Sequence, residues 1–378
     1  MISTSQFVSV GPEPKSLVGK TTPEPKPISC GLRLSERVSV SKQSNNFDGL
    51  RLIGALMVLF SHQFAIMGRW EPRFIGDHSF GNLGVLIFFS ISGYLISSSW
   101  VGDPNIKRFL VRRMLRIWPA YVVVIVLSSL IIPMVFDVSH VWFRISLYLK
   151  NIIFMGRDTA FFLSNPCKGM NGPLWTLRIE IQCYLLLMGC ALILGKYFKM
   201  IISIAAGIAM VLYVTVLGAQ SGFDQAASSN RIQFLPYFGS FFLVGVLAKH
   251  HPFLRAWKSV VVSITVGITL GVVGQTLLCL LFCVPLTVIM IGQNSWPILR
   301  SFGKFGDMSY GVYIWAWPIQ QCVFGLSRGT SYPALLSVSA TLAVFAAFCS
   351  WHLVEKPCLR LKPKTPVLMK PRAVELAA

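Results

Sequence analysis

The sequence predicts an all-α protein, a polytopic transmembrane helical bundle of about ten spans with N- and C-termini cytoplasmic. Three observations carry that reading. The chain is 54% hydrophobic and only 13% charged, whereas an average soluble domain carries roughly 25% charged residues. Its apolar runs are long and are separated by short basic stretches. When the spans are counted alternately from a cytoplasmic N-terminus, most of the 34 Lys and Arg fall on the cytoplasmic side, as the positive-inside rule requires.

Length and hydropathy place the spans near 50–68, 82–100, 118–135, 173–194, 200–218, 234–248, 259–274, 275–292, 308–326 and 332–353. The run 259–292 is long enough for two helices, with Gly274-Gln275 as the turn between them. An odd number of spans would put the basic C-terminal stretch of Lys356, Arg360, Lys362 and Lys364 on the wrong side. Residues 1–46, rich in Pro, Ser, Thr and Lys, read as a disordered cytoplasmic tail without a signal peptide. Residues 47–358 form the transmembrane domain, and 359–378 a basic cytoplasmic tail. The longest external loop, 136–172, is expected to lie partly along the outer interface and to help choose a substrate.

The formal charge of +20 does not indicate nucleic acid. A nucleic-acid binder gathers its cations on one folded face, whereas these are dispersed between apolar runs. The nine Cys include no CxxC and no Cys/His metal spacing, so no metal site and no disulfide framework are expected. No bound cofactor is expected either. Oligomeric state is not legible in the sequence.

Ionisable residues inside a membrane are costly and mark function. Among the acids, Glu180 falls well inside a span, and among the histidines His62 does. Helix rise puts His62 roughly 18 Å from the cytoplasmic edge and Glu180 roughly 10 Å from the outer edge. In a hydrocarbon core of about 30 Å the two reach similar depth and could meet. Arg51 stands eleven residues before His62, within roughly 20° of the same helix face, and Asp48, one turn below, can hold it by a salt bridge. Each has a plain alternative: a histidine bonded across helices, a glutamate closing a polar network, an arginine anchoring the interface. The loop around Arg112, Arg113 and Arg116 is the densest basic patch, suited to anionic lipid or to a phosphate-rich cytosolic ligand. Gly93, beside Ser92 and Tyr94, can serve close helix approach.

Together these residues resemble the acyltransferase family three of membrane proteins over about 47–358. Arg51 and His62 are similar to its arginine-histidine signature. Phe88-Phe89 with Ser92-Gly93 resembles its FFxxSG motif, and Arg113 with Arg116 its RxxR motif followed by Pro119. Pro173-Leu174-Trp175 with Arg178 and Glu180 resembles its PLWxLxxE segment. Ser309-Tyr310-Gly311 and Glu355-Lys356-Pro357 resemble its last two landmarks. The resemblance implies transfer of an acyl group, chiefly acetyl, from cytosolic acyl-CoA to a hydroxyl of an envelope glycan. It implies His62 as the key catalytic residue and the arginines as donor-site residues, in a bacterial-type inner membrane. Lipopolysaccharide and exopolysaccharide are the expected acceptor classes. Many relatives carry His before the proline of the ninth span, where this chain has Trp317-Pro318. Some carry an appended esterase-like domain, so this chain is expected to act alone or with a partner.

On this reading acyl-CoA docks near Arg51, Arg112, Arg113 and Arg116, and its thioester reaches toward His62. With an ordinary pKa of about 6.5, His62 can act as general base, with Glu180 orienting it. An acyl-histidine intermediate is the alternative. Two rivals belong to other classes. A proton-coupled transporter or flippase of a glycan or lipid intermediate would use His62 and Glu180 as a relay, and a scaffold would tolerate loss of His62.

Overall fold

The computed structural model describes residues 45–136, 138–155, 158–212, 234–302 and 306–365. The predicted tails 1–46 and 359–378 therefore lie outside the described residues, apart from 45–46 and 359–365. Asn46 already belongs to the folded unit. It is fully buried, donating to the Ile291 carbonyl at 2.9 Å and accepting from the Trp296 amide at 3.0 Å.

Helix α1 (Phe47–Ile66) is joined to α2 (Phe80–Gly102) by a small antiparallel hairpin, β1 (Arg73–Ile75) and β2 (His78–Ser79). Helix α3 (Ile106–Val135) leads through α4 (Val141–Leu149), α5 (Asn151–Phe154) and a 3-10 turn (Gly172–Leu174) into α6 (Trp175–Leu194) and α7 (Phe198–Leu212). The described residues resume at 234 with α8 (Phe234–His250), followed by α9 (Trp257–Val272), α10 (Thr276–Gln293) and α11 (Pro297–Phe302). Helices α12 (Ser309–Leu326) and α13 (Tyr332–Ser350) follow. The chain then passes through a π-helical turn (Trp351–Glu355) into α14 (Lys356–Arg360).

Each predicted span has a helix at its place among these elements. Among the described residues, six helical stretches are long and apolar enough to cross a membrane, and α8 and α9 are shorter apolar helices. The predicted span 200–218 leaves the described residues after 212.

Two elements differ from expectation. The chain is all-α in class, and the small hairpin is an addition that the sequence did not announce. Gly76, at φ +52, permits its tight turn, and Arg73 bonds Asp77 across it at 2.9 Å. The basic stretch read as a loop is instead the first part of α3. The Asn105 side chain accepts from the Arg108 amide at 3.0 Å and starts the helix. Pro119 lies inside α3 and forfeits one backbone bond without ending it. This places Arg112, Arg113 and Arg116 on a rigid rod.

The bundle closes around glycine and alanine seams. A Cβ added at Gly84 would overlap the Gly54 carbonyl, so α1 and α2 touch backbone to backbone. At the α2–α8 crossing a Cβ at Gly93 would overlap the Phe242 carbonyl, and one at Gly245 the Ser90 carbonyl. Small residues permit such approach where lipid provides no hydrophobic drive. Ala55, Val312, Ala316, Ala343 and Ala347 form the seam of α1, α12 and α13. Gly93→Val is expected to destabilise the fold by about 2 kcal/mol or more, since overpacking forces the backbones apart. The check is its unfolding midpoint in detergent against the wild type. A midpoint unchanged within error would show that the crossing yields freely.

The segment between α3 and α6 is packed. Phe161, Phe162 and Met170 are buried. Gln321 of α12 donates to the Cys167 carbonyl at 2.7 Å, and Asn171 donates to the Ile314 carbonyl at 2.9 Å. Trp142 and Phe143 on α4 stay exposed, as an interfacial helix would have them.

Candidate active site

Helix α1 carries a functional group near each end. Arg51 sits in its second turn, and His62 lies eleven residues on, roughly 16 Å along the axis.

At the arginine end, two guanidiniums share one carboxylate. Arg51 Nη1 lies 2.7 Å from Asp307 Oδ2 and 3.2 Å from Asp48 Oδ1. Arg116 from α3 binds the same Asp307 oxygen. Its other nitrogen lies 3.7 Å from Glu355 Oε2 in the π-helical turn. The Ser309 hydroxyl donates to Asp307 Oδ1 at 2.5 Å, and the Ser350 hydroxyl donates to Glu355 at 3.1 Å. Burial alone would raise the Asp307 carboxyl, but the Arg116 and Arg51 guanidiniums hold it at about 2. Four elements thus converge on one clamp: α1, α3, the turn before α12, and the π-helical turn after α13.

The neighbouring cations are arranged differently. Arg112 turns away, pairing with Asp103 at 2.8 Å and donating to the Pro363 carbonyl and the Thr365 hydroxyl at 3.0 Å each. The Arg108 hydrogen bond, assisted by Arg112, holds the Asp103 carboxyl at about 2. Arg113 donates to the Ser99 hydroxyl at 3.1 Å, and its buried Nε has no partner. Next to it a shallow apolar cavity opens between α3 and α6, lined by Met114, Ile117, Trp118, Ile181 and Leu185. Beyond α2, Arg255 donates to the Tyr94 hydroxyl at 3.0 Å and to Gln293 at 2.7 Å.

At the other end, His62 lies edge-on to Trp317, with ring centroids 5.0 Å apart. Its buried Nδ1 makes no hydrogen bond. Trp317 is itself fixed by donating to the Gly169 carbonyl at 3.1 Å. The carboxylate that acts electrostatically on His62 is Glu71, which accepts from the Ser61 hydroxyl at 2.5 Å.

Glu180, expected to partner His62, is bonded elsewhere. It accepts from Ser92 at 2.5 Å and from Tyr184, and it lies within electrostatic reach of Arg113. The physical reason is depth. Ser92 is midway along α2, whereas His62 is one turn from the far end of α1.

The supporting residues divide likewise. Asp48 holds Arg51 as expected. Gly93 serves the α2–α8 crossing. The Tyr94 ring lies 5.6 Å from that of Phe47, and the Trp175 ring packs at a tilt against Phe234, centroids 4.5 Å apart. Arg178 is exposed, with no bonded partner among the described residues, so it anchors the surface and does not line the site. Glu71, Asp307 and Lys362 were not singled out from the sequence. Glu71 falls just beyond a span end, where a search for acids inside spans passes over it. Asp307 precedes the Ser309-Tyr310-Gly311 landmark by two positions, and that adjacency was the available signal. Among the described residues no group of His, Cys, Asp and Glu is placed to hold a metal ion.

Comparison with known proteins identifies the family. The family model described as "Acyltransferase domain" matches residues 44–354. The chain is 33% identical over 338 residues to the O-acetyl transferase of Shigella phage Sf6, covering 85% of this chain and 98% of the relative. It is 26% identical to nodulation protein 10 of Rhizobium leguminosarum bv. viciae, covering 85% and 95%. It is 27% identical to the peptidoglycan O-acetyltransferase OatA of Listeria monocytogenes, covering 82% of this chain and 55% of that one. No solved structure matches it significantly. A family match across nearly all of the bundle, with O-acetyl-transferring relatives, places the protein: it belongs to this acyltransferase family and is a membrane O-acetyltransferase.

Proposed function

We propose that the protein moves an acetyl group from cytosolic acetyl-CoA to a hydroxyl of an envelope or exported polysaccharide. It would do so in the bacterial inner membrane, as a bundle of about ten spans with both termini in the cytosol. The observation that carries this reading is α1 itself: a histidine with an uncommitted, buried ring nitrogen stands on the helix whose other end is built into a guanidinium cluster. Guanidiniums suit phosphate, and the pantetheine arm of CoA can extend along α1 from one end to the other.

In this reading the acceptor hydroxyl gives its proton to His62 as its oxygen attacks the thioester carbonyl. The C–S bond then breaks, and the departing thiolate takes the proton back from the imidazolium. The products are an O-acetyl ester and free CoA. Glu71, in place of Glu180, stabilises the imidazolium formed on the way, and Trp317 fixes the ring plane. Glu71→Gln is expected to lower kcat about tenfold or more, the lower range of what proton-transfer groups contribute. The donor KM should stay within about twofold. A KM effect with unchanged kcat would move Glu71 out of this role.

The test of the function is base-labile acetate on surface polysaccharide purified from cells with and without the protein. Labelled acetyl-CoA turnover in membrane vesicles accompanies it. Acetate that rises with the protein supports the reading. Movement of a glycan without covalent change would favour the transporter instead. Turnover without polysaccharide acetate would shift the acceptor to another hydroxyl compound.

A further inference from the structure

The cations of the arginine end differ in what already neutralises them. Arg51 is paired with Asp48 and Asp307, and Arg116 with Asp307 and Glu355. Arg112 is paired with Asp103 and spends its remaining donors on Pro363 and Thr365. Of the five cations gathered here, Arg51, Arg112, Arg113, Arg116 and Lys362, two make no ion pair among the described residues. One is Arg113, whose buried Nε has no acceptor at all. The other is Lys362, half-buried in the segment that follows α14.

These two belong to one place. Lys362 lies within electrostatic reach of Arg116, Arg113, Arg112 and Asp307. It is kept there because Arg112 clasps the next residues, holding the Pro363 carbonyl with two donors and the Thr365 hydroxyl with a third. Burial, together with the nearby Arg116 and Arg113 guanidiniums, pulls the Lys362 ammonium down to about 8. Asp307, the carboxylate in reach, is already shared by two guanidiniums. At Lys362 the guanidiniums in reach outnumber the one carboxylate, and Glu180, in reach of Arg113, already accepts from Ser92 and Tyr184. A polyanion placed there adds charge-assisted bonds without breaking an ion pair.

We propose that Arg113 and Lys362 are the cations that bind the phosphates of the donor's nucleotide end. Arg51, Arg112 and Arg116 build the walls around them, and the segment 362–365 forms one side of the site. This assignment rests on the reading of acetyl-CoA as donor. It separates residues that a motif would group together. Arg113 and Arg116 stand in one RxxR pattern, yet one is open and the other is committed.

The experiment uses the full-length protein in membrane vesicles. Acetyl-CoA turnover is measured together with competitive inhibition by adenosine 3′,5′-bisphosphate, which carries phosphates of the donor but no thioester. Lys362→Gln is expected to raise both the acetyl-CoA KM and the bisphosphate Ki about tenfold, as loss of one charge-assisted contact does, with kcat within about twofold. Lys362→Arg should restore both constants. A purely structural lysine would lower the amount of active protein and leave both constants unmoved. If Lys362→Gln does not accumulate, the same constants are read on Arg113→Gln. Turnover by the wild type with unchanged KM and Ki in the variants overturns this assignment alone. A wild type that turns over no acetyl-CoA overturns the donor reading, and this assignment with it.

Discussion

His62→Ala is expected to lower acetyl transfer by about a thousandfold at matched protein level, within the range that a positioned acid-base group contributes. The protein should still accumulate. Its buried Nδ1 holds no other residue in place, and what the substitution removes is chiefly an edge contact with Trp317. Acetyl-CoA KM should change little, because the arginine cluster lies at the opposite end of α1. The measurement is labelled acetyl transfer in vesicles, normalised by immunoblot. Activity within a few-fold of the wild type would end the general-base role and favour the scaffold or relay readings.

The second large effect falls on Asp307. Asp307→Asn should destabilise the bundle by about 3–5 kcal/mol, because removing one partner of a buried ion pair leaves its charge uncompensated. Here the change strands both Arg51 and Arg116. The pH dependence follows from the same contacts. The carboxyl of folded Asp307 titrates at about 2, below its ordinary 3.8, and so does that of Asp103. Their stabilisation is therefore complete above about pH 4 and is lost as the pH falls toward 2. Unfolding of the wild type in detergent should show a fall in stability across that window, and Asp307→Asn should show a smaller one. An equal slope in both proteins would mean that the clamp contributes nothing to acid stability.

Much of this was legible in the sequence because membrane helices declare themselves by length and hydropathy. The places of α1, α2, α6 and α10 follow from apolar runs alone, and the Asp48–Arg51 pair from helical spacing. Two matters were not legible. The start of α3 depends on Asn105 as a cap, a local hydrogen bond that hydropathy does not weigh. The partner of His62 depends on where each span begins in depth. Glu180 lies beside Ser92, midway along α2, while Glu71 reaches back from a loop to Ser61. The division among the arginines was hidden for a related reason, since it depends on which carboxylates lie near in space, and Asp307 and Glu355 are remote from them in sequence.

Because Arg51 and His62 ride on a single helix, the separation between anchor and base behaves as a ruler. No loop between them can flex, open or be retimed, so adjustment to a longer or shorter acyl group must come from the helices facing α1. The ruler is also unforgiving of length. One residue inserted between Arg51 and His62 would swing the imidazole by about 100°, whereas seven would restore its facing but displace it by roughly 10 Å.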